Sequence, residues 1–248
     1  MKVVIADNAE DMSRKALALI ERLLAGIAEP CVVLPTGNTP LGLYAAAVQA
    51  GPRGALARAR YVQLDEYLGI APDDRRSLAR WADTVLLRPL GIGRDRLIAF
   101  DPAAPDAEAE ALRVEREARR HGLDLALLGL GPNGHLGFNE PGSAFDSVSR
   151  VVPLTPASIV SNAVYWGSEA DVPRQAFTLG LGTLATAKAA ILLVTGAHKA
   201  AILRRVLLDP PSPEVPATCL RLLTNATVVA DRAALSAVPA DVLARMAA

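Results

Sequence analysis

A series of short, continuous apolar runs spaced along the chain most constrains what it can fold into. They are Val3-Val4-Ile5 within Lys2–Ala6, Cys31–Leu34, Tyr61–Leu64, Leu97–Phe100, Leu125–Leu128, Ala189–Val194 and Thr227–Asp231. Runs of three to six residues, apolar but for Gln63 and the ends Thr227 and Asp231, predict strands covered on both faces, the signature of a parallel sheet inside helical layers. The segments between them carry helical spacing: Met12, Ala16, Leu19, Ile20, Leu23, Leu24 and Ile27 recur after the first run, with Asp7 or Asn8 placed to cap. Leu41, Tyr44, Ala45 and Val48 follow the second run, and mixed charges from Ala107 to His121 predict a solvated helix face. Strands alternating with helices predict an α/β chain of three layers with a mostly parallel sheet, residues 1–248 forming one domain. Thr155–Pro173 breaks this rhythm, so about 155–175 is expected to be an irregular, mobile cover over a site.

Composition removes several classes of function. Net charge is zero, which gives no electrostatic basis for binding nucleic acid or an anionic membrane. The two cysteines, Cys31 and Cys219, both lie in apolar segments and are too few for a disulfide framework or a metal cluster. No run is long enough to span a bilayer, and the N-terminal run is too short for a signal peptide, so a cytoplasmic protein is expected.

In open α/β sheets, ligands sit beyond the carboxyl ends of the strands, and those ends carry the polar residues here. After the second run comes Pro35-Thr36-Gly37-Asn38-Thr39-Pro40, with Asn38 or Thr39 placed to cap the next helix and Pro40 at its first position. A glycine turn entering a helix offers free N–H groups to an anion. It matches neither the P-loop nor the dinucleotide spacing, so no nucleotide is indicated. The third run ends in Asp65-Glu66, two acids placed for acid–base work, although a solvated turn would read the same way. The fifth ends in Gly129-Leu130-Gly131-Pro132-Asn133-Gly134-His135, with Glu140 five residues on. A loop that turns there gathers an imidazole, an amide and a carboxylate, and its glycines admit a close ligand. Lys199 follows the Ala189–Val194 run in a first helical turn, where a cation is out of favour unless an anion is bound.

Taken together, the motifs Leu34–Gly42, Leu64–Gly69, Gly134–Pro141, Leu179–Leu184 and Gly196–Ala200 resemble, in this order, the glucosamine-6-phosphate deaminase (isomerase) family, over about Ala6 to Ala233. The resemblance implies a modified Rossmann-like fold related to that of 6-phosphogluconolactonase. It also implies isomerisation with deamination of an amino-sugar phosphate, without metal or organic cofactor, in amino-sugar metabolism. Carried over by position, Asp65 would be the proton-transfer base, and His135 would assist ring opening, oriented by Glu140 and Asn133. Thr36, Gly37, Asn38, Thr39, Glu66, Gly131 and Lys199 would bind the sugar phosphate. A homo-oligomer is compatible with the resemblance.

The chain departs from the family pattern in four places. Asn133 stands where many relatives carry Asp, and Val164 where an arginine of the lid is usual. Asp73–Leu78 differs from the usual His-Pro-x-Ser-Tyr, which leaves Arg75, Arg76 or Arg174 as replacement cations, and Val152 stands where allosteric relatives carry lysine. A different amino sugar, a lactonase and a sugar-phosphate sensor are therefore alternatives. Asp65-Glu66-Tyr67 and Phe138-Asn139-Glu140-Pro141 favour the deaminase over the lactonase.

Overall fold

The apolar runs form a single sheet, because each places alternate side chains into opposite layers. The computed structural model describes residues 1–247. Its strands in chain order are β1 (Lys2–Ala6), β2 (Cys31–Leu34), β3 (Arg60–Gln63), β4 (Asp65–Tyr67), β5 (Leu97–Ile98), β6 (Leu125–Gly129), β7 (Arg150–Pro153), β8 (Gln175–Thr178), β9 (Ala189–Val194) and β10 (Ala226–Asp231). Seven of them make a parallel sheet in the order β1-β10-β9-β6-β2-β3-β5. Val32, Leu34, Leu125 and Leu127 face a core packed by helices α1 (Ala9–Leu23) and α2 (Leu41–Ala50). Val33, Ala126 and Leu128 face the other core, which includes residues of α4 (Ala107–His121) and α7 (Ala200–Leu208). The three-layer α/β expectation therefore holds.

The chain runs outward from β2 to β3 and β5, then returns to place β6 on the other side of β2. Loops leaving β2 and β6 diverge at this reversal and open a crevice, the usual ligand position in such sheets.

Four local expectations are corrected. The Thr155–Pro173 stretch is not irregular throughout: Pro156–Trp166 is helix α5, with Thr155 accepting from the Ser158 amide and Pro156 in the first turn. Neither Asn38 nor Thr39 caps α2, since Pro40 holds that position and no side chain bonds the helix end. The Leu97–Phe100 strand shortens to two residues, because the Phe100 amide is taken by the Gln63 side chain at 3.0 Å. The helix at Ala107–His121 is not wholly solvated: Glu115 is buried and accepts from the Ser149 amide at 3.0 Å and Thr183 Oγ1 at 2.6 Å. At the first helix, Asn8 rather than Asp7 is the cap.

A second sheet of three antiparallel strands, β4-β8-β7, stands apart from the first. Leu64 alone separates β3 in the large sheet from β4 in the small one. Tyr67, Phe138, Val152, Ile159 and Trp166 pack a third cluster between the small sheet and α5.

Candidate active site

The crevice holds a cavity of about 670 Å³, lined by groups that the sequence places far apart. One wall is the loop after β2, Pro35 to Thr39. Another is the end of β6 at Gly129 and the loop after it, with Gly131 and His135. Asp65, Lys199, Arg75, Arg76 and the α5 residues Ser161, Asn162, Tyr165 and Trp166 also line it. Of the expected residues, Thr36, Gly37, Asn38, Thr39, Asp65, Gly131, His135 and Lys199 meet here.

Asp65 opens β4, and the pleat turns its side chain toward the cavity. It is buried, and its Oδ1 has no hydrogen-bond partner. Desolvation, helped by the neighbouring Glu66 charge, pushes its carboxyl up to about 7. A carboxylate at that value both takes and returns a proton near neutrality. Gly137 leaves the room: a Cβ there would lie 3.3 Å from Asp65 Oδ2 and 3.0 Å from Thr178 Oγ1, and its φ of 59° suits glycine.

Glu66, the next residue along the strand, points the other way. It is fully buried and does not line the cavity. Its oxygens accept from Gln63 Nε2 at 3.0 Å, the Tyr67 amide at 2.9 Å, Ser77 Oγ at 2.7 Å, and the Leu78 and Ala79 amides at 3.0 Å each. Those last two amides begin helix α3 (Leu78–Ala82), so the carboxylate serves the helix N-terminus. The expected substrate contact through Glu66 is therefore replaced by an internal anchoring role.

The loop after β6 brings His135 and Glu140 together, with His135 Nδ1 3.2 Å from Glu140 Oε1. That is ion-pair range, yet no aligned hydrogen bond engages Nδ1. Burial pushes the Glu140 carboxyl up, but His135, Ser158 and Asn133 outweigh it and hold it down at about 2. Asn133 does not touch the imidazole. Its Nδ2 donates to Glu140 Oε2 at 2.7 Å, and its Oδ1 accepts from the His135 amide at 3.2 Å. The amide therefore fixes the carboxylate and the loop rather than the ring. Gly131 is required for the ring itself, since a Cβ there would fall 2.0 Å from His135 Cδ2 and 2.2 Å from Nε2.

Cations gather on the remaining walls. Burial lowers the Lys199 ammonium below its ordinary value, because desolvation disfavours the charged form. Arg76 is held by Asp74, with Nε to Oδ1 at 2.9 Å and Nη2 to Oδ2 at 2.7 Å, and its guanidinium lies 4.1 Å over the Trp166 ring. Arg75 lines the cavity at an exposed position. Arg174 does not line it, and Val164 is 78% exposed on the outer face of α5. Sequence reasoning missed Tyr67, Phe138 and Trp166, which form an aromatic wall with ring centroids 5.5 and 5.0 Å from Tyr67. It also missed Ser158, whose hydroxyl donates to Glu140 Oε1. Among the described residues, no three His, Cys, Asp or Glu side chains gather in a way that would hold a metal ion, and no helix is long and apolar enough to cross a membrane.

Comparison with known proteins agrees with this geometry. The chain is 37% identical over 242 residues to a glucosamine-6-phosphate deaminase of Geobacillus sp. (strain WCH70), covering 96% of each. It is 37% identical over 238 residues to that of Exiguobacterium sp. (strain ATCC BAA-1283 / AT1b), covering 95% of this chain and 91% of the relative. A solved structure described as a monomeric glucosamine-6-phosphate deaminase superposes with a TM-score of 0.91 at 33% identity, covering 96% of this chain and all of that one. The 6-phosphogluconolactonase of Trypanosoma brucei shares the fold, with a TM-score of 0.74 at 22% identity. The family model for glucosamine-6-phosphate isomerases and 6-phosphogluconolactonases matches residues 5–229, and the chain belongs to that family.

Proposed function

We propose that the chain converts a 2-amino-2-deoxyhexose 6-phosphate, glucosamine 6-phosphate first among them, to the ketose 6-phosphate and ammonia. The observation that carries this reading is Asp65, an unpartnered buried carboxyl at about 7 facing the cavity shared by His135 and Lys199. Deaminase relatives at 37% identity support it.

The phosphate is read as lying against Thr36–Thr39 and Lys199, which line the same cavity and offer amides, hydroxyls and an ammonium to an anion. Arg75 supplements them in place of the arginine absent at position 164. His135 carries a proton between the anomeric hydroxyl and the ring oxygen, opening the sugar. Asp65 then takes the C2 proton and returns it to C1, while a proton passes from nitrogen to O1. The product is an imine at C2, which water hydrolyses, releasing ammonia with the ketose. Glu140, held low by its partners, stays ionised and steadies the imidazolium that forms on His135. The solved deaminase similar to this chain is described as monomeric, which favours a single chain over the self-association left open by sequence; sedimentation checks this.

The test is release of ammonia and ketose 6-phosphate from glucosamine 6-phosphate and galactosamine 6-phosphate, beside hydrolysis of 6-phosphogluconolactone. Equal amounts of ammonia and ketose phosphate are expected from one of the amino sugars. Lactone hydrolysis without ammonia release from either would overturn the reading.

A further inference from the structure

The bond between Ser158 and Glu140 joins two parts of the site that the chemistry alone would not connect. Ser158 is the third residue of α5 and is 3% exposed. Its hydroxyl donates to Oε1 of Glu140, the same oxygen that faces His135 Nδ1 at 3.2 Å. The other oxygen, Oε2, is taken by Asn133. With both oxygens occupied by neutral donors, the imidazole nitrogen is left without an aligned partner. Farther along α5, Tyr165 accepts from Asn38 at 3.3 Å, and Trp166 lies under Arg76. The helix thus touches the anion loop at one end and the His135–Glu140 pair at the other.

We propose that Ser158 is a positioning residue that couples the seating of α5 over the cavity to the aim of the Glu140 carboxylate at His135. When α5 is seated, the hydroxyl fixes Oε1 and so fixes the carboxylate charge that faces His135 Nδ1 at 3.2 Å. When α5 lifts, the carboxylate loses that donor and swings toward the ring, leaving His135 poorly aimed at the sugar. Such a coupling is reciprocal, so Glu140 must hold the helix as much as the helix holds Glu140. The kinetic consequence rests on the proposed deaminase reaction, whereas the structural consequence does not.

Two measurements test this. Hydrogen exchange on the free protein compares Ser158→Ala, Glu140→Gln and the double variant across residues 156–166. Each single variant is expected to speed exchange there, and the double variant no more than the faster single one, because one bond is lost in each. Unchanged exchange in Ser158→Ala, or fully additive effects, would overturn the coupling. Kinetics with glucosamine 6-phosphate deuterated at C2 then reads the catalytic side. Ser158→Ala is expected to lower kcat on the order of tenfold, the loss of one hydrogen bond to a charged group, with KM within about twofold. Its deuterium isotope effect should fall toward unity as ring opening becomes the slow step, and Ser158→Thr, which keeps the hydroxyl, should restore wild-type values. A change confined to KM, or an unaltered isotope effect, would overturn the positioning role. Absence of turnover in the wild type would overturn the proposed reaction, leaving the exchange measurement to decide the coupling alone.

Discussion

Replacing Asp65 by Asn should stabilise the protein, and by an amount that grows with pH. The ordinary carboxyl value is 3.8, and burial beside Glu66 moves that of Asp65 to about 7. At about 1.36 kcal/mol per pKa unit, ionising this carboxyl costs the folded chain about 4 kcal/mol more than the unfolded one. Because the folded value is the higher one, the stability associated with the protonated group is fully present below 3.8. It is lost as pH rises from there through 7, and the loss is complete above that. The amide of the variant carries no such titration. Any fixed cost of burying it is the same at every pH and drops out of the comparison. Thermal unfolding of both proteins at intervals from pH 4 to pH 8 measures the difference directly. The variant should gain on the wild type across that window, by on the order of 10 °C for a chain of this length, while losing turnover altogether. A gap between the two that stays constant from pH 4 to pH 8 would refute the desolvation argument, and with it the basis for Asp65 as a base near neutrality.

Gly131→Ala should fold but lower kcat about a hundredfold, since its Cβ would displace the His135 ring by more than 1 Å; a steady-state assay with unchanged kcat would contradict the packing. Glu66→Ala should cost about 3 kcal/mol or more of stability in urea unfolding, because five donors, four of them in buried bonds, lose both carboxylate oxygens. Lys199→Met should raise KM for the 6-phosphate at least tenfold with little effect on kcat; equal losses on phosphorylated and unphosphorylated sugars would assign the lysine elsewhere. In the wild type, kcat/KM should rise with pH to a limb at about 7, as Asp65 ionises in the free enzyme.

The large sheet was legible because strands buried on both faces are built mostly from apolar residues, with Gln63 and Asp231 as buried polar exceptions at strand ends. Leu125–Leu128 and Ala189–Val194 therefore announce themselves. Strand β4 was not legible: three residues, two of them acidic, form it only because β8, more than a hundred residues away, supplies the antiparallel partner. Helix α5 was hidden for a related reason. Val160, Val164 and Tyr165 are exposed, so its apolar residues do not fall on one stripe. At the site, His135, Glu140 and Asp65 were readable from residue type and place. The division of labour between Asp65 and Glu66 was not, although the alternation of side chains along a strand is what separates them. Ser158 gave no signal, because a serine in a helix looks the same whether it meets water or a buried carboxylate.

The single residue Leu64 between the two sheets sets how far the chemistry of this fold can be retuned. Thr36–Thr39, Lys199 and His135 are carried by loops of the large sheet and line one side of the cavity. Asp65 is carried by the small sheet, one residue beyond the end of the large one. Small rotations of β4-β8-β7 would re-aim the carboxylate along a sugar chain, from one carbon to the next, while the anchored end stays in place. Structures of family members with different ligand lengths should accordingly differ in the tilt of the small sheet and superpose closely across the large one.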